Sequence, residues 1–242
     1  MPSTIGWLSS TKRVIAHHHG GNVKVGDIDV ARIGLGTNRL TITKENVAFI
    51  RSAVAEGVQM IDTAHLYTGG QSEQTIGEAL SPPPEGCIVA TKGGFGGAGR
   101  ARPEVLHAEL EQSIRHLKTD TIYLYYLHRV DPETPIEESL SAIKDYRDRG
   151  KVRHVGISNV GIEQIERARR VVPIVAVQNH YNLSERKSEA VVDYCAAEGI
   201  AWLLRRSTAV LPIPGTLSLV HLKENLAALQ IELTDAEFEA LR

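Results

Sequence analysis

The chain has 242 residues, of which 42% are hydrophobic and 23% are charged, which is ordinary for a globular protein with a sizeable core. The formal net charge of -2 at pH 7 argues against a nucleic-acid or anionic-membrane partner, because such partners favour a basic surplus. No run reaches the roughly 18 apolar residues that a membrane span needs. We therefore expect a globular protein with no nucleic-acid or membrane partner.

The first 21 residues precede the regular pattern, and we interpret them as a flexible N-terminal extension. They have no apolar segment of signal-peptide length and no small-residue cleavage pattern. The three histidines at residues 17–19 could bind a metal, but no Cys or carboxylate lies near them, so we expect no metal site. Cys87 and Cys195 lack metal-like spacing and are interpreted as buried free thiols in a reducing, cytoplasmic compartment.

From residue 22 onward, strand-like and helix-like patterns alternate. A hairpin turns at Gly26-Asp27, a short strand ends at Gly36-Thr37, and Gly57 ends the first helix. Further strands are predicted over residues 58–62, 87–92, 121–128, 153–158 and 174–178. Helices are predicted between them over residues 72–80, 103–117, 135–146 and 161–172, and after them over residues 188–197.

This alternation predicts right-handed βαβ units and a parallel sheet. At least seven such units favour an α/β fold of the closed (β/α)8 type, the TIM barrel, with an N-terminal β-hairpin. A Rossmann sheet is disfavoured because Gly34 and Gly36 lack the third glycine and the following helix of a dinucleotide fingerprint. We expect one barrel domain over residues 22–242.

Polar residues end the predicted strands at the same phase. In a barrel these ends meet at one rim, where barrel enzymes place their active sites. One such residue is weak evidence, since turns also need polar groups, but five strand ends that include an Asp and a Lys indicate a site. The residues are Asp62, Lys92, His128, Ser158 with Asn159, and Gln178.

Tyr67 lies five residues after Asp62 and completes a set of groups suited to proton transfer. A phenol with a pKa of about 10 is a poor acid unless its anion is stabilised, and the Lys92 ammonium can stabilise it. Asp62 would pair with Lys92, while His128 would bind a substrate oxygen or relay a proton. Each residue alone also fits a structural role, so the joint placement carries the prediction of a general acid.

Six segments resemble the aldo-keto reductase family, especially its bacterial members with short C-terminal tails. The resemblance runs from about Asn22 to the C-terminus, with the motifs in order and correctly spaced. It implies hydride transfer from NADPH to a small-molecule aldehyde or ketone, with Tyr67 as general acid in a tetrad with Asp62, Lys92 and His128. We also expect a monomer or a weak homo-oligomer. The segments are IDTAHLY, SEQTIGEAL, IVATKGG, YYLHRVDPETPIEESLSAIKDYRDRGKVRHVGISN, VQNHYNLSER and VLPIPGT.

The resemblance also implies cofactor contacts at the rim. Ser158, Asn159 and Gln178 match the residues that hold the nicotinamide carboxamide. Residues 213–225 match the final strand, loop and helix that take the adenine-side phosphate, and backbone N–H groups leading into a helix N-terminus suit an anion. The other expected contacts are Gly36, Thr37, Asp62, Gly215, Thr216, Ser218, His221, Glu224 and Asn225.

One departure from the family concerns the choice of cofactor. Many members have an arginine where this chain has His221, and a neutral histidine holds a 2′-phosphate more weakly than a bidentate arginine. Because Lys223 is close by, we still expect NADPH to be preferred, with NADH accepted.

A second departure lies between residues 199 and 209, where a strand, a loop and a helix should precede the last strand at residues 209–214. Only IAWLLRRS stands there, and it resembles the end of the seventh helix. By this count the barrel lacks its seventh strand and most of the following loop and helix. Either the protein lacks this unit, or the sequence given omits a mobile stretch. We favour the second explanation because the rest of the sequence fits a full barrel. A measurement of the intact mass distinguishes the two.

Two alternatives to the reductase function remain open. Lys92 at a barrel strand end could form a Schiff base, as in a class I aldolase. Alternatively, the chain could be a cofactor-binding regulatory or partner subunit without catalysis. The sequence ends with LTDAEFEALR, with no long tail to cover the rim, so we expect an open site that accepts varied aldehydes and ketones, including bulky ones.

Overall fold

The computed structural model describes residues 21–182, 184–198, 211–231, 234 and 236–237. The strands are β1 Asn22–Val25, β2 Ile28–Ala31, β3 Leu35–Gly36, β4 Met60–Asp62, β5 Ile88–Gly93, β6 Ile122–Leu127, β7 Val152–Ser158 and β8 Ile174–Gln178. The helices are α1 Lys44–Ala55, α2 Gln71–Leu80, α3 Pro103–Leu117, α4 Ile136–Asp148, α5 Ile162–Arg169, α6 Glu189–Ala197 and α7 Leu219–Ala227. Two 3-10 turns cover Tyr67–Gly70 and Ala228–Gln230.

The strands β3 to β8 form one parallel sheet in sequence order, with the helices on its outer face. Residues 211–215, here called the closing segment, lie along the free edge of β3. Gly34 donates its N–H to the Pro212 carbonyl at 2.8 Å, and Gly36 forms a parallel bridge with Gly215. The sheet therefore curls towards closure, and the predicted α/β barrel is confirmed as a partial TIM barrel.

The strand, loop and helix that we expect to be missing would lie after α6, between β8 and the closing segment. Among the described residues, β8 pairs only with β7. Residues 199–210, on which the prediction of the missing seventh strand rests, lie outside the described residues, as does the N-terminal extension with its three histidines.

The hairpin of β1 and β2 fills the end of the barrel opposite the rim, and its predicted turn at Gly26-Asp27 is confirmed. Val25 and Val30 pack inside the sheet against Met60, Ala90 and other residues that point into the barrel. Because alternate residues of a strand face opposite sides, the same strands also contribute to the larger core beneath the helices.

Local sequence explains the helix boundaries. Thr43 caps α1 by accepting a hydrogen bond from the Asn46 N–H at 3.1 Å. Pro103 occupies the first turn of α3, where its missing N–H has no cost, and Leu106 and Leu110 are buried as the spacing predicts.

No helix in the described ranges is both long and apolar enough to cross a membrane.

The two thiols differ in burial. Cys195 is buried and free, as predicted, whereas Cys87 is only partly buried because it precedes β5 at the end of a loop. Burial raises the pKa of each thiol to about 12, so both stay protonated at neutral pH.

Candidate active site

The strand register brings the predicted polar residues to the rim, as the sequence pattern indicates. Asp62 is the last residue of β4. Lys92 is the penultimate residue of β5 and pairs with Tyr126, the penultimate residue of β6. His128 directly follows β6, and Ser158 pairs with Gln178 at the ends of β7 and β8. Parallel strands share one direction, so these side chains gather at the carboxyl end of the barrel.

A buried ion pair lies at the centre of the site. Lys92 Nζ donates to Asp62 Oδ2 at 2.7 Å and to the Thr63 carbonyl at 2.6 Å. The Lys92 side chain is 0% exposed and that of Asp62 is 3% exposed. Gln178 Nε2 donates to the other carboxylate oxygen of Asp62 at 2.8 Å. Both charges are therefore compensated and fixed in orientation.

Tyr67 begins a 3-10 turn beside this ion pair. Lys92 Nζ lies 5.0 Å from the Tyr67 ring centroid, and the rings of Tyr67 and His128 meet edge to face with 6.0 Å between centroids. Burial raises the pKa of Tyr67 above its ordinary value, while the Lys92 charge acts in the opposite direction. Lys92 therefore favours the phenolate as expected, but burial is the larger effect and the phenol stays protonated at neutral pH.

His128 is held as a neutral imidazole. Its side chain is buried, and Nδ1 has no hydrogen-bond partner among the described residues. Burial, followed by the charges of Lys92 and Arg129, lowers the pKa of His128 to about 3. The Phe95 ring packs against it with 4.7 Å between centroids. A neutral imidazole can orient a substrate oxygen by hydrogen bonding, but it is not the acid at neutral pH.

A cavity of about 660 Å³ adjoins Tyr67 and His128. All three predicted nicotinamide contacts line it, namely Ser158, Asn159 and Gln178. Asn159 adopts a left-handed backbone with φ of 57°, and its amide donates to Ser158 Oγ at 2.9 Å and to the His128 carbonyl at 3.2 Å. The size and the few convergent polar groups are those of a small-molecule or cofactor site.

Gly36 and Thr37 support the site from behind. Thr37 is 2% exposed, and both its N–H and its hydroxyl donate to the Asp62 carbonyl, the hydroxyl at 2.8 Å. A Cβ at Gly36 would lie 2.7 Å from the Ile213 carbonyl oxygen. These contacts show Thr37 fixing the backbone of Asp62 and Gly36 allowing the closing segment to approach.

The predicted adenine-side residues lie around the start of α7. Thr216 Oγ1 accepts from the Ser218 N–H at 3.0 Å, and Ser218 caps the helix by accepting from the His221 N–H. Gly215, His221 and Glu224 are exposed, and Asn225 is half-buried. Lys223, whose proximity supported the expected preference for NADPH, forms an exposed ion pair with Glu56 at 3.0 Å.

Two residues close to His128 were not predicted from the sequence. Phe95 lies on the glycine-rich loop after β5, and Arg129 directly follows His128. The guanidinium carbon of Arg129 lies 5.1 Å from the Phe95 ring centroid. Only sequence position could have indicated Phe95, because it lies three residues after Lys92 in a segment with neither helical nor strand periodicity.

The family model of the aldo/keto reductase family matches residues 32–201. The chain belongs to this family. The aldo/keto reductases are oxidoreductases, so general oxidoreductase activity is supported, and the resemblance found in the sequence is confirmed.

An uncharacterized oxidoreductase of Schizosaccharomyces pombe is 35% identical over 272 residues, which cover 91% of this chain and 89% of that protein. The alignment is longer than the 242 residues of this chain, so the relative has segments that this chain lacks.

Two solved structures share the fold. The thermostable aldo-keto reductase Tm1743, crystallised with the inhibitor epalrestat, has a TM-score of 0.81 and 26% identity, covering 91% of this chain and 98% of that one. An aldo-keto reductase of Klebsiella pneumoniae in complex with NADPH has a TM-score of 0.80 and 24% identity, covering 91% of this chain and 93% of that one.

Proposed function

We propose that this aldo/keto reductase uses NADPH to reduce aldehydes or ketones to alcohols, with Tyr67 as the general acid. The observation that carries the proposal is the contact of Tyr67 with both Lys92 and His128 at the mouth of a cavity large enough for a substrate. The family supports the reaction class, and the strand-end geometry supports the residue roles.

In this proposal a bound nicotinamide supplies the hydride to the carbonyl carbon. Tyr67 donates its hydroxyl proton to the carbonyl oxygen. The product is then a neutral alcohol, and Tyr67 becomes a phenolate. The Lys92 ammonium stabilises that phenolate, and Asp62 keeps Lys92 in place and charged. Neutral His128 orients the carbonyl oxygen by a hydrogen bond, and a proton from water then restores Tyr67.

The cofactor assignment rests on the chemistry of the cavity wall. Ser158, Asn159 and Gln178 offer hydroxyl and amide groups suited to a carboxamide, and the Klebsiella relative was crystallised with NADPH. Lys223 is paired with Glu56 and His221 is exposed, so these two residues would bind a 2′-phosphate less strongly than a free lysine and an arginine. We nevertheless propose NADPH over NADH, and equal or tighter NADH binding in titrations would contradict this preference.

The experiment that tests the function follows NADPH oxidation over a panel of aldehydes and ketones and identifies the alcohol product. Turnover across substrates of different size supports an open carbonyl reductase, whereas sharp selectivity for one small substrate argues against the open site. Cofactor binding without any turnover would favour the regulatory subunit instead. Borohydride trapping of substrate on Lys92 would favour the Schiff-base alternative, which the buried ion pair of this lysine disfavours.

We propose one barrel domain over residues 22–242 that acts in the cytoplasm on small molecules, as a monomer or a weak homo-oligomer. Light scattering coupled to gel filtration measures the oligomeric state, and a stable higher oligomer would contradict this assignment.

A further inference from the structure

Arg129 carries a positive charge close to His128 of the candidate active site. It is exposed and directly follows His128 at the end of β6. Its guanidinium carbon lies 5.1 Å from the Phe95 ring centroid, and the Phe95 ring lies 4.7 Å from that of His128. The same charge helps to lower the pKa of His128, after burial and Lys92. Stacking on an aromatic face orients a guanidinium and reduces its freedom before a ligand arrives.

Nearby carboxylates are committed to other groups. Asp131, two residues from Arg129, accepts backbone N–H groups through both oxygens, at 2.8 to 3.0 Å. Glu133 pairs with Arg102 at 3.4 Å. Within the described part of the chain, no carboxylate forms an ion pair with Arg129. The backbone donors to Asp131 are Gly99, Ala101 and Glu133.

The loop that carries Phe95 is fixed by these contacts. Glu109 accepts the Gly94 N–H at 2.7 Å and pairs with Arg100 at 3.0 Å. Asp131 holds the other end of the loop through Gly99. The loop that carries the Phe95 ring is therefore tethered at both ends.

We propose that Arg129 is a specificity-determining residue that binds a carboxylate on the carbonyl substrate. The inference rests on the proposed function, since it takes the carbonyl to lie against Tyr67 and His128. A guanidinium holds a carboxylate through two parallel hydrogen bonds, which an uncharged ester cannot match. The Arg129 guanidinium and the His128 ring both contact the Phe95 ring, so the two groups are close enough to each other for a substrate with a rigid aromatic spacer to bind both.

The test compares 4-carboxybenzaldehyde with its methyl ester, methyl 4-formylbenzoate, which has nearly the same shape and no charge. The readout is the ratio of kcat/KM for the acid to kcat/KM for the ester, at saturating NADPH. We expect wild type to favour the acid through a lower KM, and Arg129→Gln to reduce the ratio roughly tenfold. Any indirect effect of Arg129 on His128 acts on both substrates and cancels in the ratio.

Two further variants serve as controls. Arg102→Gln removes an exposed, ion-paired arginine near the same loops and should leave the ratio as in wild type. Arg129→Lys should keep part of the preference, because it retains the charge without the bidentate fork. Added salt should reduce the wild-type ratio more than that of Arg129→Gln, since screening acts on the charge pair.

An equal ratio in wild type and Arg129→Gln overturns the inference while leaving the proposed reductase function intact. If neither aldehyde is reduced and no other carbonyl is turned over, the proposed function fails instead. In that case, calorimetric binding of 4-carboxybenzaldehyde to the NADPH-loaded proteins decides the role of Arg129. Weaker binding by Arg129→Gln supports the carboxylate site, and equal binding overturns it.

Discussion

Lys92 and Asp62 form a 2.7 Å ion pair at the carboxyl end of the barrel, where both side chains are almost completely removed from solvent. Gln178 occupies the second oxygen of Asp62, which leaves the carboxylate little freedom to turn. A buried charge is costly unless its partner is present. The pair therefore couples the strands β4 and β5 to each other, while also setting the charge next to Tyr67.

Removal of the ammonium should destabilise the fold as well as the chemistry. We expect Lys92→Met to lower the free energy of unfolding by roughly 3–5 kcal/mol, because Asp62 is left buried without its partner. Urea unfolding measures the loss. The double variant Lys92→Met with Asp62→Asn serves as the control and should regain much of that stability, since it buries no unpaired charge. A double variant as unstable as the single one would contradict this explanation.

The two perturbed groups predict the pH dependence of reduction. Because the pKa of Tyr67 is raised above 10.0 by burial, the donor form should persist through neutral and mildly alkaline pH. Because the pKa of His128 is lowered to about 3, this residue should not titrate near neutrality. We therefore expect kcat/KM to be level through neutral and mildly alkaline pH and to fall only at strongly alkaline pH, where Tyr67 loses its proton. An inflection near the ordinary pKa of histidine that disappears in His128→Gln would show that His128 titrates there.

Asn159 allows a specific test of the nicotinamide contacts. Its φ of 57° suits glycine, so Asn159→Gly removes the amide without backbone strain. We expect the affinity for NADPH to fall roughly tenfold, since one or two hydrogen bonds are lost. Lys118→Gly is a matched control, because Lys118 also has a left-handed backbone, with φ of 51°, but lies at the end of α3. Fluorescence titration measures both, and an equal loss in the two variants would contradict the assignment.

The hairpin end of the barrel should respond to acid through Asp27. A hydrogen bond with His154 is the main cause that lowers the pKa of Asp27 from 3.8 to about 2, and Tyr123 and Arg153 act in the same direction. The stabilisation is present above the unfolded pKa and is lost as the pH falls through about 2. The stability difference between wild type and Asp27→Asn should therefore shrink as urea unfolding is repeated below about pH 4.

The control is Asp29→Asn, which changes an exposed carboxylate on β2 of the same hairpin. It should show no such pH-dependent difference from wild type. A difference for Asp27→Asn that stays constant down to the lowest pH would mean that its carboxylate does not provide the stabilisation.

The sequence could predict the barrel because its two periodicities, in strands and in helices, reflect burial, and burial is a local consequence of each side chain. It could also predict Asp62, Lys92 and His128, because strand ends repeat at a regular phase. The balance of effects on Tyr67 was not predictable, since it depends on how deeply the phenol is buried. The pairing of Lys223 with Glu56 joins distant segments and leaves no sign in the local pattern.

Arg129 and Phe95 show the same limit. The loop after β5 contains Gly94, Gly96, Gly97 and Gly99, all with positive φ, so neither helical nor strand spacing indicates where Phe95 points. Only the folded loop reveals that it packs on His128 and beneath Arg129.

The role of Tyr67 as proton donor is tested by the turnover of Tyr67→Phe, which removes only the hydroxyl oxygen and its proton. With a carbonyl that wild type reduces, we expect kcat to fall by about 10²–10⁴-fold while the affinity for NADPH is unchanged. Tyr194→Phe, on α6, controls for loss of a phenolic hydroxyl elsewhere and should keep wild-type turnover. Tyr67→Phe turnover within a few-fold of wild type would contradict the assignment of Tyr67 as the proton donor.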